Sequence, residues 1–434
     1  MFNTPHKVSS YRSYKDSSAK WAGRIPSHWS CKALKHIASL QSGDSISPDH
    51  FSESGYPVFG GNGFRGYTAT YNREGRLPLI GRQGALCGNI NYSEGKFYAS
   101  EHAIVVTPKE PTAITWLGEA IRSADFNRLS QSTAQPGISV AVIENVHFPL
   151  PPTDEQIAIS KFIESNFRKI KAAIRIKEKQ ISLLKERKQI LIQNAVTRGL
   201  YPDAPMQDSG IEWLGEIPQH WGVSHNRTLF TERVEPGKEG LPLLTVSIRS
   251  GVSSGELSED ENLRGRVKIG DQTKYSLVQP GDIVYNMMRA WQGAIGAVTT
   301  TGMVSPAYTV AIPDSTIRSK YFEHLYRTPL FVHQMDRHSK GITDFRKRLY
   351  WQEFKQMLTL IPPLDEQDHI VHYIDQESTR IDRAISLFQG QIERLKEYRA
   401  TLIDSAVTGK IRVPGVEDPA PALSMDGPKE NSWI

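Results

Sequence analysis

One stretch of this chain occurs twice, and the repetition constrains the rest. From Pro151 the sequence reads PPTDEQ, and from Pro362 it reads PPLDEQ; each copy continues through I-x-x-LKE and closes on AVT, and the two copies align without insertion or deletion. A repeat of this length implies a duplicated architecture. Each copy reads as one long helix. Its proline pair can only precede or open it, because proline donates no backbone hydrogen bond. Asp154 and Glu155, like Asp365 and Glu366, place negative charge at the positive end of the helix dipole. The first copy meets no glycine before Gly199, whereas the second contains Gly390, a local weak point.

Apolar positions recur every seven residues. In the first copy Ile163, Ile170, Lys177, Leu184 and Leu191 form one row, and Phe167, Ile174, Ile181, Lys188 and Ala195 the other. In the second the rows are Ile374, Ile381, Phe388, Leu395, Leu402 and Ser378, Ile385, Ile392, Arg399, Ala406. This is a coiled-coil seam with a few polar breaks. The first copy is rich in lysine and arginine, and the second has a net acidic balance. Opposite charges flanking a shared seam favour pairing the two helices with each other. A globular segment separates them, so an antiparallel intramolecular coiled coil is expected. The competing reading is two unrelated amphipathic helices, each packed on its own domain.

A second repeat frames the helices. DSSAKWAGRIPSHW runs from Asp16 to Trp29, and DSGIEWLGEIPQHW from Asp208 to Trp221. The chain is therefore a tandem duplication of opening motif, globular segment and long helix. Trp21, Trp29, Trp213 and Trp221 are expected to pack where each segment meets the helices.

The 434 residues predict two or three domains, and a net charge of +5 permits nucleic-acid binding without arguing for it. Two cysteines, Cys31 and Cys87, provide neither a metal site nor a disulfide framework, which fits a reducing cytoplasm. The polar N-terminus lacks the apolar core of a signal peptide, and no run of apolar residues is long enough for a membrane span.

The segments between the repeats, residues 30–150 and 222–361, alternate short β-type runs with glycine turns. A mixed α/β fold with a bent sheet is expected in each, with helices near Thr115 to Leu129 and Ser319 to His338. The two share a skeleton: Gly84-Ala85 before Gly88, Gly293-Ala294 before Gly296, then an apolar strand ending in Pro108 or Pro313.

Gly61 to Gly66 matches G-x-G-x-x-G, but polar, turn-like sequence follows where a dinucleotide fold needs a helix. A glycine-rich turn at a sheet edge is the better account. The letters of a nuclease site occur as Pro48-Asp49 with Glu94 and Lys96, and as Pro313-Asp314 with Glu353 and Lys355. Their separations are long, and nothing in the sequence brings them to one metal. There is no Walker lysine, no H-E-x-x-H and no N/D-P-P-F/Y, and His102, His147 and His333 are scattered. No catalytic or metal-binding residue is expected. What remains is a pair of candidate reading surfaces: Asn62, Arg65, Arg82, Gln83, Asn89 and Gln135 in one segment, and Arg249, Asn286, Arg289, Gln292, Lys340, Arg346, Lys347 and Arg348 in the other. Such side chains contact base edges or phosphates. Any one of them could equally be a solvated loop residue; the pattern in both segments raises the DNA reading.

The chain resembles the specificity subunits of type I restriction–modification enzymes. The resemblance is carried by IPSHW (Ile25 to Trp29), PLPPTDEQ (Pro149 to Gln156), LKERKQILIQNAVTRG (Leu184 to Gly199), IEWLGEIPQHW (Ile211 to Trp221), IPPLDEQ (Ile361 to Gln367) and LKEYRATLIDSAVTGK (Leu395 to Lys410). GITDFRKRL (Gly341 to Leu349) joins them, with QPGISVAVI (Gln135 to Ile143) as its weaker counterpart. The resemblance implies two tandem target recognition domains, at 30–150 and 222–361, each a bent mixed sheet plus helices reading half of a split DNA sequence. The helical spacers 151–200 and 362–410 would join them in a pseudo-twofold arrangement, set the distance between half-sites and dock two modification subunits. Those subunits would carry S-adenosylmethionine and methylate adenine, and restriction subunits would add the nuclease that needs ATP and Mg2+. Segment 1–29 leads in, 201–221 repeats it, and 411–434 is expected to be a flexible or late-docking tail. The chain itself would bind no cofactor and catalyse nothing. The competing functions are a coiled-coil scaffold that ignores DNA and a fused restriction–methylation enzyme, for which the length leaves no room.

Overall fold

The computed structural model describes residues 9–84, 86–130, 136–248, 250–254, 274–341 and 347–417. Gln135, Arg249 and Arg346 lie outside them. The two long helices are present, Thr153–Arg198 and Leu364–Val407, of 46 and 44 residues. The second runs through Gly390 without a break. Every position of the seven-residue rows is buried or half-buried except Arg399, and its guanidinium lies 4.1 Å from the centre of the Phe167 ring. Arg399 and Phe167 are both seam positions, so the polar break is filled by a cation–π contact across the pair. Lys188 meets Asp382 at 2.7 Å in the same antiparallel sense. That ion pair is solvent-exposed, so the apolar seam rather than the charge holds the helices together.

The chain divides into two compact units, one of Met1–Lys177 with Gly390–Ile434, the other of Glu178–Gln389. Each unit therefore contains the N-terminal half of one long helix and the C-terminal half of the other. The reason is visible in the cores. In the first, Ile159, Ile163, Ile403, Ala406 and Val407 pack with Ile25, Trp29, Trp116 and Phe148. In the second, Ala195, Val196, Ile370 and Ile374 pack with Ile217, Trp221, Tyr321 and Phe354. The helix ends belong to the domain cores and do not stand apart as spacers.

The repeated motifs form the joint. Glu155 Oε2 accepts from Trp29 Nε1 at 2.9 Å and from the Tyr11 hydroxyl at 3.0 Å, and His28 Nε2 lies 2.5 Å from Oε1. In the second unit Glu366 Oε2 accepts from Trp221 Nε1 at 3.0 Å and lies 2.7 Å from His220 Nε2. The neighbouring glutamines bind backbone: Gln156 takes the Ala113 N–H and donates to Pro151 O, and Gln367 takes the Arg318 N–H and donates to Pro362 O. D-E-Q thus stitches the opening motif and a domain helix to the first turn of each long helix. Trp29 and Trp221 are 0% and 3% exposed, while Trp21 and Trp213 are half-buried and pack edge-on against Phe148 and Phe331.

The glycine after each AVT completes the joint. Gly199 and Gly409 have φ of +75° and +74°, the left-handed conformation that ends a helix. A Cβ on Gly409 would lie 2.4 Å from Pro26 Cδ, and one on Gly199 2.9 Å from Glu366 Oε1. Gly409→Ala is expected to destabilise the first unit by roughly 2–4 kcal/mol, and Gly199→Ala the second by somewhat less, since a backbone penalty adds to a clash. Thermal unfolding of the two variants checks the order.

The expected bent sheet is divided in the first unit, where two sheets have more than two strands. One has four antiparallel strands, in the order Ile90–Tyr92, Pro78–Gly81, Ala103–Pro108, Ala38–Ser42; the other has five, around the hairpin Tyr56–Gly60 and Gly63–Thr68. The second unit repeats the four-stranded sheet with Ile295–Ala297, Ile283–Asn286, Tyr308–Pro313 and Phe230–Glu232. Ile80 pairs with Ile90 and Ile104, and Tyr285 pairs with Ile295 and Thr309, so the two sheets share one register. That register corrects the sequence alignment of the glycines. Gly88, at φ +82°, is the structural counterpart of Gly293, at φ +90°, because each stands two residues before the returning strand. The shared Gly-Ala letters are displaced from it. The expected helix at 319–338 is two, Ser319–Tyr326 and Pro329–His338, since Pro329 cannot continue a helix and Thr328 caps a new one by accepting from Phe331 N. In the other segment Ile114–Ser123 is helical and Phe126–Leu129 a separate 3-10 turn.

Of the tail, residues 411–417 are held in place: Arg412 N donates to Ser9 O at 2.7 Å, and Val413 is 1% exposed in the first core. Among the described residues no helix is long and apolar enough to cross a membrane.

Candidate nucleic-acid interface

The glycine-rich motif is the tip of a hairpin. Gly60 pairs with Gly63, leaving Gly61 and Asn62 as the turn, and a strand rather than a helix follows. The glycines allow close packing. A Cβ on Gly81 would lie 2.1 Å from Gly61 O, and one on Gly61 3.0 Å from Gln83 O. The hairpin tip is thereby pressed onto the turn that follows strand Pro78–Gly81. Between them lies a shallow cleft of about 470 Å³, lined by Asn62, Phe64, Arg65, Gln83 and His102. Asn62, Arg65 and Gln83 are exposed, and the Arg65 guanidinium rests 5.7 Å from the centre of the Phe51 ring.

Residues 136–138 pin the same turn. Gln83 forms an antiparallel bridge with Gly137, Gly84 N donates to Pro136 O at 2.9 Å, and Ile138 N to Arg82 O at 3.0 Å. A smaller cleft of about 200 Å³ lies there, lined in part by Arg82, Gln83 and Ser139. Arg82 is half-buried beside Ser42 Oγ, 3.5 Å away. Asn89 is used internally: its Oδ1 accepts from Ile90 N and from Arg122 Nη1.

The second unit has the same construction. Leu349 N donates to Met287 O at 2.9 Å, as Ile138 N does to Arg82 O, and each donor stands two residues before a short helix, Trp351–Phe354 or Val140–Ile143. Lys340 and Arg348 form an antiparallel bridge. Lys347 Nζ lies 5.2 Å from the centre of the Trp291 ring, and Arg348 Nη2 lies 3.9 Å from Met288 Sδ. Arg289 and Gln292 are exposed at the ends of the 3-10 turn Ala290–Gln292. Lys340 is exposed and pairs with Glu353. Asn286 is 8% exposed, with Oδ1 accepting from Met288 N at 2.9 Å, so it shapes the turn from beneath.

The structure thus gathers Asn62, Arg65, Arg82 and Gln83 at one surface, and Arg289, Gln292, Lys340, Lys347 and Arg348 at another, while Asn89 and Asn286 face inward. Sequence reasoning missed Phe64 and His102, which line the first cleft, and Met288 and Trp291, which adjoin Arg348 and Lys347. Phe64 was hidden inside the glycine motif, and only the folded hairpin, where it is 55% exposed, shows that it faces solvent. The nuclease letters do not converge: Glu353 is engaged by Lys340, and Asp314 Oδ1 accepts the Thr316 N–H at 3.0 Å. Among the described residues no group of three or more His, Cys, Asp or Glu side chains is placed to hold a metal ion.

Residues 26–182 match the type I restriction modification DNA specificity domain. Over 138 residues the chain is 36% identical to the EcoprrI specificity subunit of Escherichia coli, covering 31% of this chain and 34% of that protein. Over 401 residues it is 24% identical to the EcoBI specificity subunit of Escherichia coli, covering 81% and 83%. Both relatives are specificity subunits of type I restriction enzymes, and the matched stretch of this chain is similar to the DNA specificity domain of that system. The matched stretch takes in Pro26 to Trp29 of the IPSHW motif, the first globular segment and more than half of the first long helix. The match with the EcoprrI protein spans about a third of that relative's length. The fold extends further: a solved chain from a study of complex assembly and conformational transition in the type I system aligns at a TM-score of 0.62 and 13% identity, covering 88% of this chain and 98% of that one.

Proposed function

We propose that this chain is the DNA-recognition subunit of a type I restriction–modification complex. Each unit reads one half of a bipartite target, and the paired helices fix the gap between halves. The chain docks two modification subunits, which carry S-adenosylmethionine, and restriction subunits that use ATP and Mg2+ complete the nuclease. Its own side chains recognise and position DNA; the methyl transfer and strand cleavage belong to the partners. The observation that carries this reading is the recurrence, in each unit, of one pinned turn edged with Arg and Gln on one four-stranded sheet. Residues of these types make bidentate contacts to guanine and adenine edges in the major groove.

Genome-wide adenine methylation, with the partner subunits present and this chain supplied or withheld, tests it. A split motif methylated only when the chain is present is the expected result. Unchanged methylation, together with no gel shift of a DNA library by the chain plus modification subunits, would sink the reading in favour of a scaffold.

A further inference from the structure

Phe64 belongs to neither buried apolar cluster of the first unit, the one around Trp29 and Phe148 or the smaller one of Leu79, Phe97, Ala99 and Val105. It is 55% exposed on the hairpin strand Gly63–Thr68, and among the described residues its one ring neighbour is Tyr67, 5.1 Å away and itself 38% exposed. The hairpin that presents it is tightly braced. A Cβ on Gly63 would lie 2.8 Å from Asn91 Oδ1, and one on Gly66 2.9 Å from the Phe51 ring. A large apolar side chain on a braced tip, beside Asn62, Arg65 and Gln83, is a preorganised contact rather than a loose surface residue.

We infer that Phe64 reads a thymine methyl group in the half-site contacted by the first unit. This rests on the DNA-recognition role proposed above. In the major groove an A·T pair offers the adenine N7 and N6 to an Asn or Gln amide, and the thymine methyl is the one apolar group on the base edges. Phe64 and the amides of Asn62 and Gln83 line one cleft, so together they match both halves of such a pair. The hydrogen bonds select adenine, and the ring selects the methylated pyrimidine opposite it.

The experiment uses the full chain with its modification subunits and a duplex carrying its methylated motif. Each thymine of the half-site, on either strand, is replaced in turn by 2′-deoxyuridine, which removes only the methyl. One replacement is expected to weaken binding by the wild-type complex roughly three- to fivefold, the factor for burying one methyl. The Phe64→Ala complex should be weaker on the unmodified duplex by at least that factor and insensitive to the replacement. Phe64→Leu should recover part of the sensitivity, which separates apolar contact from misfolding. Wild-type binding indifferent to every replacement, a half-site without thymine, or a Phe64→Ala complex as sensitive as wild type would each overturn the assignment. Failure of the wild-type complex to bind any methylated motif would instead overturn the recognition role, and this inference with it.

Discussion

Glu155→Ala is expected to lower the stability of the first unit by about 3–5 kcal/mol, because it strips one buried carboxylate from three partners at once. Trp29 Nε1, the Tyr11 hydroxyl and His28 all converge on it. Trp29 is fully buried, so its N–H would have no water to turn to and would bear its full desolvation penalty. Glu366→Ala should do the same to the second unit on a smaller scale, since Trp221 and His220 are the two side chains that contact that carboxylate among the described residues. Glu155→Gln keeps one acceptor oxygen and should recover part of the loss. Chemical denaturation resolves the two units if they unfold separately. A melting curve for Glu155→Ala that overlays wild type would show that the repeated D-E-Q glutamate is not the joint described here.

The second large effect concerns spacing, and it follows from the proposed role of the helices. Phe167 faces Arg399 and Lys188 faces Asp382, so the point midway along the pair falls near Lys177 and Gly390. Seven residues inserted there in each helix keep the seam in phase and lengthen the pair by about 10 Å. That rise corresponds to about three base pairs, which also rotate the DNA by between a quarter and a third of a turn, given about 10.5 pairs per turn. The lengthened protein is therefore expected to methylate the same two half-sites across a gap longer by about one to three pairs, with weaker binding from the twist mismatch. Methylation sequencing reads the gap directly, and an unchanged gap would rule out the helices as a ruler.

Periodicity and the repeated motifs make much of this fold legible in the amino-acid sequence. The twelve aliphatic seam positions from Ile163 to Leu402 could be assigned because heptad spacing is a local property of a helix, and all of them are buried or half-buried. The reading surface was legible only in part. Arg82, Gln83 and Arg289 could be singled out by residue type, but so could Asn89 and Asn286, which spend their amides inside the fold. Residue type states what a side chain can bond, and strand pairing decides what is already bonded to it.

The sequence by itself determined the duplication, the two long helices and their seam, and the D-E-Q and H-W pairs as the parts that recur. These follow from periodicity and helix-terminus chemistry, which neighbouring residues settle among themselves. Only the tertiary structure decided that Glu155 and Glu366 receive the tryptophan N–H groups, that each helix end lies inside a domain core, that Gly88 and not Gly84 answers to Gly293, and that Phe64 faces solvent. Each of those depends on groups brought together from distant parts of the chain, where burial and strand register, not local spacing, set the partners.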